Sequence, residues 1–175
     1  MAENIEYAIR LLEQDDKVRK SLSHGDEKFI ALRRFLESDA KKHHLENLSK
    51  TYVCVANQNK VVGYITITCS QIKLDGTDVP DALVNFRHEF PAVKIGRLLI
   101  CQSIRRSGIG KSLVSIAISA AKDNVAPSVG CRFVIVDAHQ DAIKFYRDCG
   151  FTLLSSEENK TKQDPIMFLD IGKLQ

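Results

Sequence analysis

Nowhere does the chain carry an apolar run near the ~18–20 residues that a membrane-spanning helix requires, so a membrane-spanning protein is not expected. A secretory leader is not expected either. Met1-Ala-Glu-Asn-Ile-Glu6 places acids where a signal peptide has bases and then an apolar stretch, and a cytoplasmic location is expected. Charge of one sign is scarce: the net charge is +3, which permits an anionic partner without demanding one. Cys-x-x-Cys pairs are absent. The five cysteines, Cys54, Cys69, Cys101, Cys131 and Cys149, are odd in number and widely spaced, and no Cys/His cluster has zinc spacing. Disulfides and a structural metal are thereby excluded, and buried or half-buried free thiols are expected. Internal repeats and low-complexity tracts are also missing. What remains, 175 residues of which 44% are hydrophobic, suffices for one core, and a single domain over 1–175 is expected.

Periodicity divides the chain into mixed elements. Ile5, Tyr7, Ile9 and Leu11 alternate like a strand, although Ile5, Ile9 and Leu12 also match a helix. Phe29, Ile30, Leu32, Phe35, Leu36 and Ala40 recur at helical spacing from Glu27 to about His44, with Asp26 as N-cap. The β-branched runs Thr51–Ala56 and Val61–Ser70 flank a hairpin turn at 57–60. A polar connection over 73–91 leads to a strand from Ala92 to Ile100. A helix from Gly108 to about Lys122 follows, then a loop at Pro127 and Gly130, and a strand from Cys131 to Asp137. A short helix, Asp141–Cys149, stops at Gly150, a residue suited to the left-handed position after a helix. Strands at 151–154 and 166–171 end the order, which defines one α/β domain of mixed strands and helices.

The most informative stretch is Ile100-Cys-Gln-Ser-Ile-Arg105-Arg106-Ser107-Gly108-Ile109-Gly110-Lys111-Ser112, a strand that passes through a basic, glycine-containing turn into a helix. The first N–H groups of a helix lack intrahelical partners and carry about half a positive charge. Glycines let the backbone approach a phosphate, and Arg105, Arg106 and Lys111 add charge-assisted donors. Two nucleotide motifs fail here. A P-loop ending Gly110-Lys111-Ser112 requires glycine at Arg105, and a dinucleotide fingerprint from Gly108 requires glycine or alanine at Leu113. The plain alternative is that the glycines only shape a tight β–α turn.

Arg105-x-x-Gly108-x-Gly110 resembles the (Arg/Gln)-x-x-Gly-x-(Gly/Ala) pyrophosphate loop of the GNAT N-acetyltransferases, and Phe145-Tyr146…Gly150-Phe151 resembles another element of that family. The order of elements is similar over almost the whole chain. The resemblance implies the α/β GNAT fold, a mixed six- to seven-stranded sheet flanked by about four helices, and acetyl-coenzyme A as acyl donor. It implies that the loop from Arg105 to Ser112 (Arg105, Arg106, Ser107, Gly108, Ile109, Gly110, Lys111, Ser112) binds the donor, with backbone amides of Arg106, Gly108, Gly110 and Lys111 on the diphosphate. Main-chain groups of Leu99 and Ile100 would pair with the pantetheine arm as an added strand. Ser23…Gly25…Leu32…Phe35-Leu36 and Pro91…Gly96-Arg97-Leu98 are similar to segments of the GNAT toxins of type II toxin–antitoxin pairs. That narrower resemblance implies acetylation of aminoacyl-tRNA, silencing by a ribbon–helix–helix antitoxin, and a homodimer. Cys101 departs from it, standing where an acidic residue often follows the strand.

Acyl transfer to an amine requires a neutral nucleophile, oxyanion stabilisation and a proton for the leaving thiolate. A backbone N–H at the Leu99–Cys101 strand end is the expected oxyanion donor. Tyr146 is the expected general acid, since a phenol of ordinary acidity stays protonated at pH 7; the competing reading is a core tyrosine with a satisfied hydroxyl. No motif places a base, and Glu89 and Asp137 are the carboxylates to consider. A lysine amine needs about 4.6 kcal/mol to be neutral at pH 7 and an α-amine less than about 1, so a site without a base suits an α-amine: an aminoacyl end or a protein N-terminus. Arg33, Arg34, Lys41, Lys42 and Arg97 are the expected tRNA contacts, mainly to phosphates, the alternative being a solvated helix face. Competing functions are acetylation of a protein N-terminus, polyamine or small amine, and a non-catalytic binding module.

Overall fold

β-branched runs in the first third of the chain build an antiparallel meander. β1 (Ala8–Leu11) pairs with β2 (Lys50–Ala56), which turns through a 3-10 segment at Asn57–Asn59 into β3 (Lys60–Lys73). Four further strands follow: β4 (Glu89–Ile100), β5 (Phe133–Asp137), β6 (Thr152–Leu153) and β7 (Ile166–Asp170). The sheet order is β1-β2-β3-β4-β5-β7-β6, with β4 and β5 parallel, so the sheet is mixed as the sequence implies. The computed structural model describes residues 7–18, 22, 27–86 and 89–174. Ile5 and the N-cap residue Asp26 lie outside the described residues.

Contacts group the chain into two units, Met1–Thr68 with Arg97–Ile116 and Cys69–Gly96 with Ala117–Gln175. In the first, the expected helix over 27–44 is broken. A 3-10 turn at Glu27–Phe29 precedes α1 (Ile30–Ser38), and α2 (Ala40–Leu45) starts afresh after Asp39. At Asp39 φ widens to −116 within the right-handed region, and serine and aspartate, the residue types at 38 and 39, are weak helix formers. Phe35, Leu36 and Ala40 still bury as their spacing implies. The Tyr64 ring stacks on Phe35 at 6.4 Å and its hydroxyl donates to the Leu32 carbonyl at 2.7 Å, so β3 fixes α1 by one ring and one hydrogen bond. Asp16, 3% exposed, accepts a bidentate pair from Arg10 at 2.6 and 2.9 Å and the Glu13 amide at 2.8 Å. A side chain at Gly63 would meet Ile100 Cδ1 at 2.8 Å and the Leu99 carbonyl at 3.3 Å, so this glycine sets a close approach.

In the second unit, Ile72, Leu74, Phe90, Ala92, Phe133, Ile135 and Phe168 form a core. β4 begins at Glu89 rather than after Pro91. Phe90 packs edge-on against Phe133 at 5.6 Å, and Pro91, which has no N–H to donate, still accepts the Arg132 amide at 2.9 Å. The expected loop at Pro127 is also corrected. α3 (Ile109–Ser119) runs on through a wider π turn at Ala120–Val125 into α4 (Ala126–Val129), where Pro127 sits in a first turn and needs no N–H. Gly130 at φ +83 ends it. α5 (Ile143–Asp148) ends at Gly150, which adopts φ +94 as expected. α6 (Glu157–Lys160) carries no periodic signal in the sequence. It is secured by Asn159, 1% exposed, whose amide donates to the Leu154 and Ile166 carbonyls and accepts the Ile166 N–H. Cys54 and Cys101 are buried and Cys131 and Cys149 half-buried, but Cys69 is exposed. It lies where β3 alternates past Thr68, on the side that Gln71 and Lys73 also present to solvent.

Candidate active site

β4 delivers Leu99 and Ile100 to the head of a turn in which a 3-10 segment, Gln102–Ile104, is followed by Arg105-Arg106-Ser107-Gly108 and then α3. Two residues of this turn have left-handed backbones, Arg106 at φ +66 and Gly108 at φ +90. A Cβ at Gly108 would meet nothing within 4 Å. Its glycine therefore serves backbone conformation and leaves open space above the turn, as a bound diphosphate needs. The Ser107 amide bonds to Ile104, and helical bonding begins with the Ser112 amide on the Gly108 carbonyl at 3.1 Å. Ile109, Gly110 and Lys111 supply the first turn of α3, whose amides point outward. Arg105, Arg106, Ser107, Lys111 and Ser112 are exposed, while Ile109 is buried and anchors the turn. The residues that would hold a diphosphate thus share one stretch of backbone, and they fit such a group in charge, conformation and space.

Of the Leu99–Cys101 amides expected to include an oxyanion donor, that of Cys101 is engaged: it donates to the Val62 carbonyl at 2.8 Å.

The basic residues separate. Arg34 and Lys42 are exposed, and Arg33 faces Glu37 at 3.9 Å on the same helix. Lys41 is diverted from the surface patch: its ammonium donates to the carbonyls of Gln14 at 2.6 Å and Asp16 at 3.1 Å, tying α2 to the segment after β1. Arg97 lies with its guanidinium 3.6 Å from the centroid of Phe35, and Arg105 stacks 4.6 Å from the centroid of Phe29. No sequence signal announces these stacked arginines, since the partners are far apart along the chain. Gly63 had a signal, a glycine inside a β-branched run. His44 accepts the Thr51 amide on Nδ1 at 3.1 Å, which makes it a structural group.

All of these residues belong to the first unit, and Tyr146 belongs to the second. Its ring is 5% exposed and packs edge-on against Phe145 at 5.0 Å and Phe151 at 5.6 Å. No hydrogen bond to another described residue engages its hydroxyl, unlike that of Tyr64. Burial pushes the Tyr146 phenol well above its ordinary range, so it stays protonated at neutral pH. The two candidate bases fare differently. Asp137 pairs with Lys94 at 2.5 Å, and Glu89 is exposed at the start of β4. Among the described residues no group of His, Cys, Asp and Glu could hold a metal ion, and no helix is long and apolar enough to cross a membrane.

Solved structures of similar fold include AtaT complexed with acetyl-methionyl-tRNAfMet, with TM-score 0.80 and 23% identity over 95% of this chain and 96% of that one. A Tyr-to-Phe variant of the AtaT toxin bound to the C-terminus of the antitoxin AtaR and acetyl-CoA matches with TM-score 0.73 at 23% identity, covering 95% and 94% of the two chains. A Tyr-to-Phe variant of KacT matches with TM-score 0.80 at 21% identity over 95% of each chain. These likenesses establish the fold. The sequence model of the Acetyltransferase (GNAT) family matches residues 9–151, spanning the β1 strand, the basic turn and Tyr146, and the chain belongs to that family.

Proposed function

We propose that this protein transfers an acetyl group from acetyl-coenzyme A to the α-amino group of an aminoacyl-tRNA, as a translation-blocking toxin. The observation that carries the donor half is the turn from Arg105 to Ser112, with its left-handed Arg106 and Gly108 and open space at Gly108. When bound, acetyl-coenzyme A supplies an activated acyl thioester. Arg105, Arg106 and Lys111 neutralise the diphosphate, and the amides of Arg106, Gly108, Gly110 and Lys111 hold it. Leu99 and Ile100 guide the pantetheine arm along the end of β4.

Tyr146 gives its phenolic proton to the leaving thiolate sulfur. Its hydroxyl makes no hydrogen bond to another described residue, which favours this role over a purely structural one. The acceptor half rests on chemistry. Asp137 is occupied by Lys94, so the amine that reacts must lose its proton easily, and an α-amine does so for less than about 1 kcal/mol. Arg34 and Lys42, exposed on α1 and α2, together with Arg33 and Arg97, supply phosphate contacts. AtaT, of the same fold, is solved with acetyl-methionyl-tRNAfMet and with its antitoxin. A ribbon–helix–helix antitoxin, a homodimer and a cytoplasmic location belong to this reading.

The exposed position of Glu89, the other candidate base, leaves a second reading in which a protein N-terminus, polyamine or small amine is the acceptor. Labelled acetyl-coenzyme A offered with aminoacyl-tRNA, an N-terminal peptide and spermidine separates the two. Label is expected in the aminoacyl-tRNA; label confined to the free amines overturns the tRNA assignment.

A further inference from the structure

Three buried hydroxyl oxygens of the first unit, Ser49 Oγ, Thr51 Oγ1 and Thr66 Oγ1, have no hydrogen-bond partner among the described residues. Thr51 and Thr66 are 0% exposed and Ser49 7%. Thr51 of β2 and Thr66 of β3 are register partners, so their side chains leave the sheet on one face. The Thr51 amide donates to His44 Nδ1 at 3.1 Å and the Thr51 carbonyl accepts the Leu12 amide at 2.9 Å, so both main-chain groups turn away from β3. The two threonines therefore form a non-hydrogen-bonded pair, the narrow kind, with Cα atoms about 4.5 Å apart. Ser49 lies two residues before Thr51. Its amide also points at α2, donating to the His43 carbonyl at 3.3 Å, and this two-residue alternation sets its hydroxyl on the Thr51 side. The next rung on that face pairs Val53 with Tyr64, whose ring stacks on Phe35 of α1, so a helix roofs this side of the sheet.

We propose that Ser49, Thr51 and Thr66 form a site for one internal water, which ties β2 to β3 beneath α1. Native cores seldom leave a buried hydroxyl unpaired, and an ordered water making about three hydrogen bonds is the usual partner of such groups. The three hydroxyls carry no charge and each can both give and take a bond, so the ligand they select is small, neutral, and donor and acceptor at once. One water meets all three oxygens, whereas a direct bond between the threonines leaves Ser49 unpaired. Valine matches threonine in shape. Placed at 51 or 66, it removes one partner of the water and keeps the packing.

The test joins a crystal structure of the wild-type protein, at a resolution that orders solvent, to urea unfolding of Thr51→Val, Thr66→Val and the Thr51→Val/Thr66→Val double variant. Wild type is expected to show one water within about 2.7–3.2 Å of all three oxygens, and crystals of the double variant are expected to lose it. Each single variant is expected to lower the urea midpoint by about 0.5–1 M. The double variant is expected to fall well short of the sum of the two losses, because both threonines serve the same water. Wild-type crystals that show the threonine oxygens bonded to each other, or no density between the three hydroxyls, overturn the proposal. Two single losses that simply add overturn it as well.

Discussion

The guanidinium of Arg97 caps the ring of Phe35 at 3.6 Å, while Tyr64 stacks on that ring at 6.4 Å and His43 meets it edge-on at 5.1 Å. Phe35 is 5% exposed, so the arginine closes a small aromatic core as well as carrying charge. Arg97→Ala is expected to lower stability by about 1–2 kcal/mol through lost stacking and lost stem packing. Arg97→Lys should recover only part of that, because the planar fork is gone. Urea unfolding of the three proteins checks this; full stability in Arg97→Ala would return Arg97 to the role of a simple surface charge.

Replacing Tyr146 by phenylalanine keeps the edge-on packing with Phe145 and Phe151 and removes only the proton donor. The turnover number is expected to fall about 10²–10⁴-fold, with coenzyme A affinity unchanged. Single-turnover kinetics beside calorimetry decides it. A Phe variant of wild-type activity would mark Tyr146 as a core residue alone.

Charge reversal should divide the basic residues by what they touch. Arg34→Glu with Lys42→Glu is expected to raise KM for aminoacyl-tRNA while leaving both acetyl-coenzyme A affinity and melting temperature in place, and the effect should shrink as salt is raised. Lys41→Glu instead removes the bonds to the Gln14 and Asp16 carbonyls and brings a like charge near Asp16. It is expected to lower the melting temperature first, which differential scanning calorimetry reads directly.

Much of this was legible beforehand, and the failures have physical reasons. The loop from Arg105 to Ser112 and the stop at Gly150 are local: each needs only neighbouring residues and backbone conformation, and both appear as their residues imply. Strand periods located all the larger strands for the same reason. Tertiary contacts escaped. Pro91 reads as an end of structure, yet Phe90 packs on Phe133 and carries the strand past it. Lys41 reads as a surface cation, yet distant carbonyls claim it. Phe29 and Phe35 read as one apolar helix face, and nothing in their spacing says that arginines from 105 and 97 will cover them.

Acid should weaken the first unit in two stages. Burial and the nearby Lys50 charge hold the His44 ring below its ordinary 6.5, and only a neutral Nδ1 can accept the Thr51 amide. The unfolded chain then takes up this proton first, so the contribution is complete above about pH 6.5 and is lost as pH falls through the lower folded value. Asp16 follows at lower pH. Burial alone would raise its carboxyl, but the Arg10 hydrogen bonds, the Glu13 amide and the charges of Arg10 and Lys41 outweigh burial and hold it below 3.8. Its contribution is complete above the unfolded value and is lost as pH drops through the folded one. Urea unfolding between pH 8 and 3 is expected to show both declines. His44→Gln should flatten the first, and Asp16→Asn the second, the latter with about 3 kcal/mol lost at neutral pH.

The hydrogen that stands for a side chain at Gly63 carries a consequence well outside β3. A methyl there would press on Ile100 Cδ1 at 2.8 Å and come within 3.5 Å of Leu113 Cδ1, residues that bracket the bend proposed to hold the donor's diphosphate. Alanine at this place would therefore register as slackened grip on the donor before it registered as loss of fold. A glycine of β3, outside the basic turn, is thus expected to bear on donor affinity through its neighbours Leu99, Ile100 and Leu113.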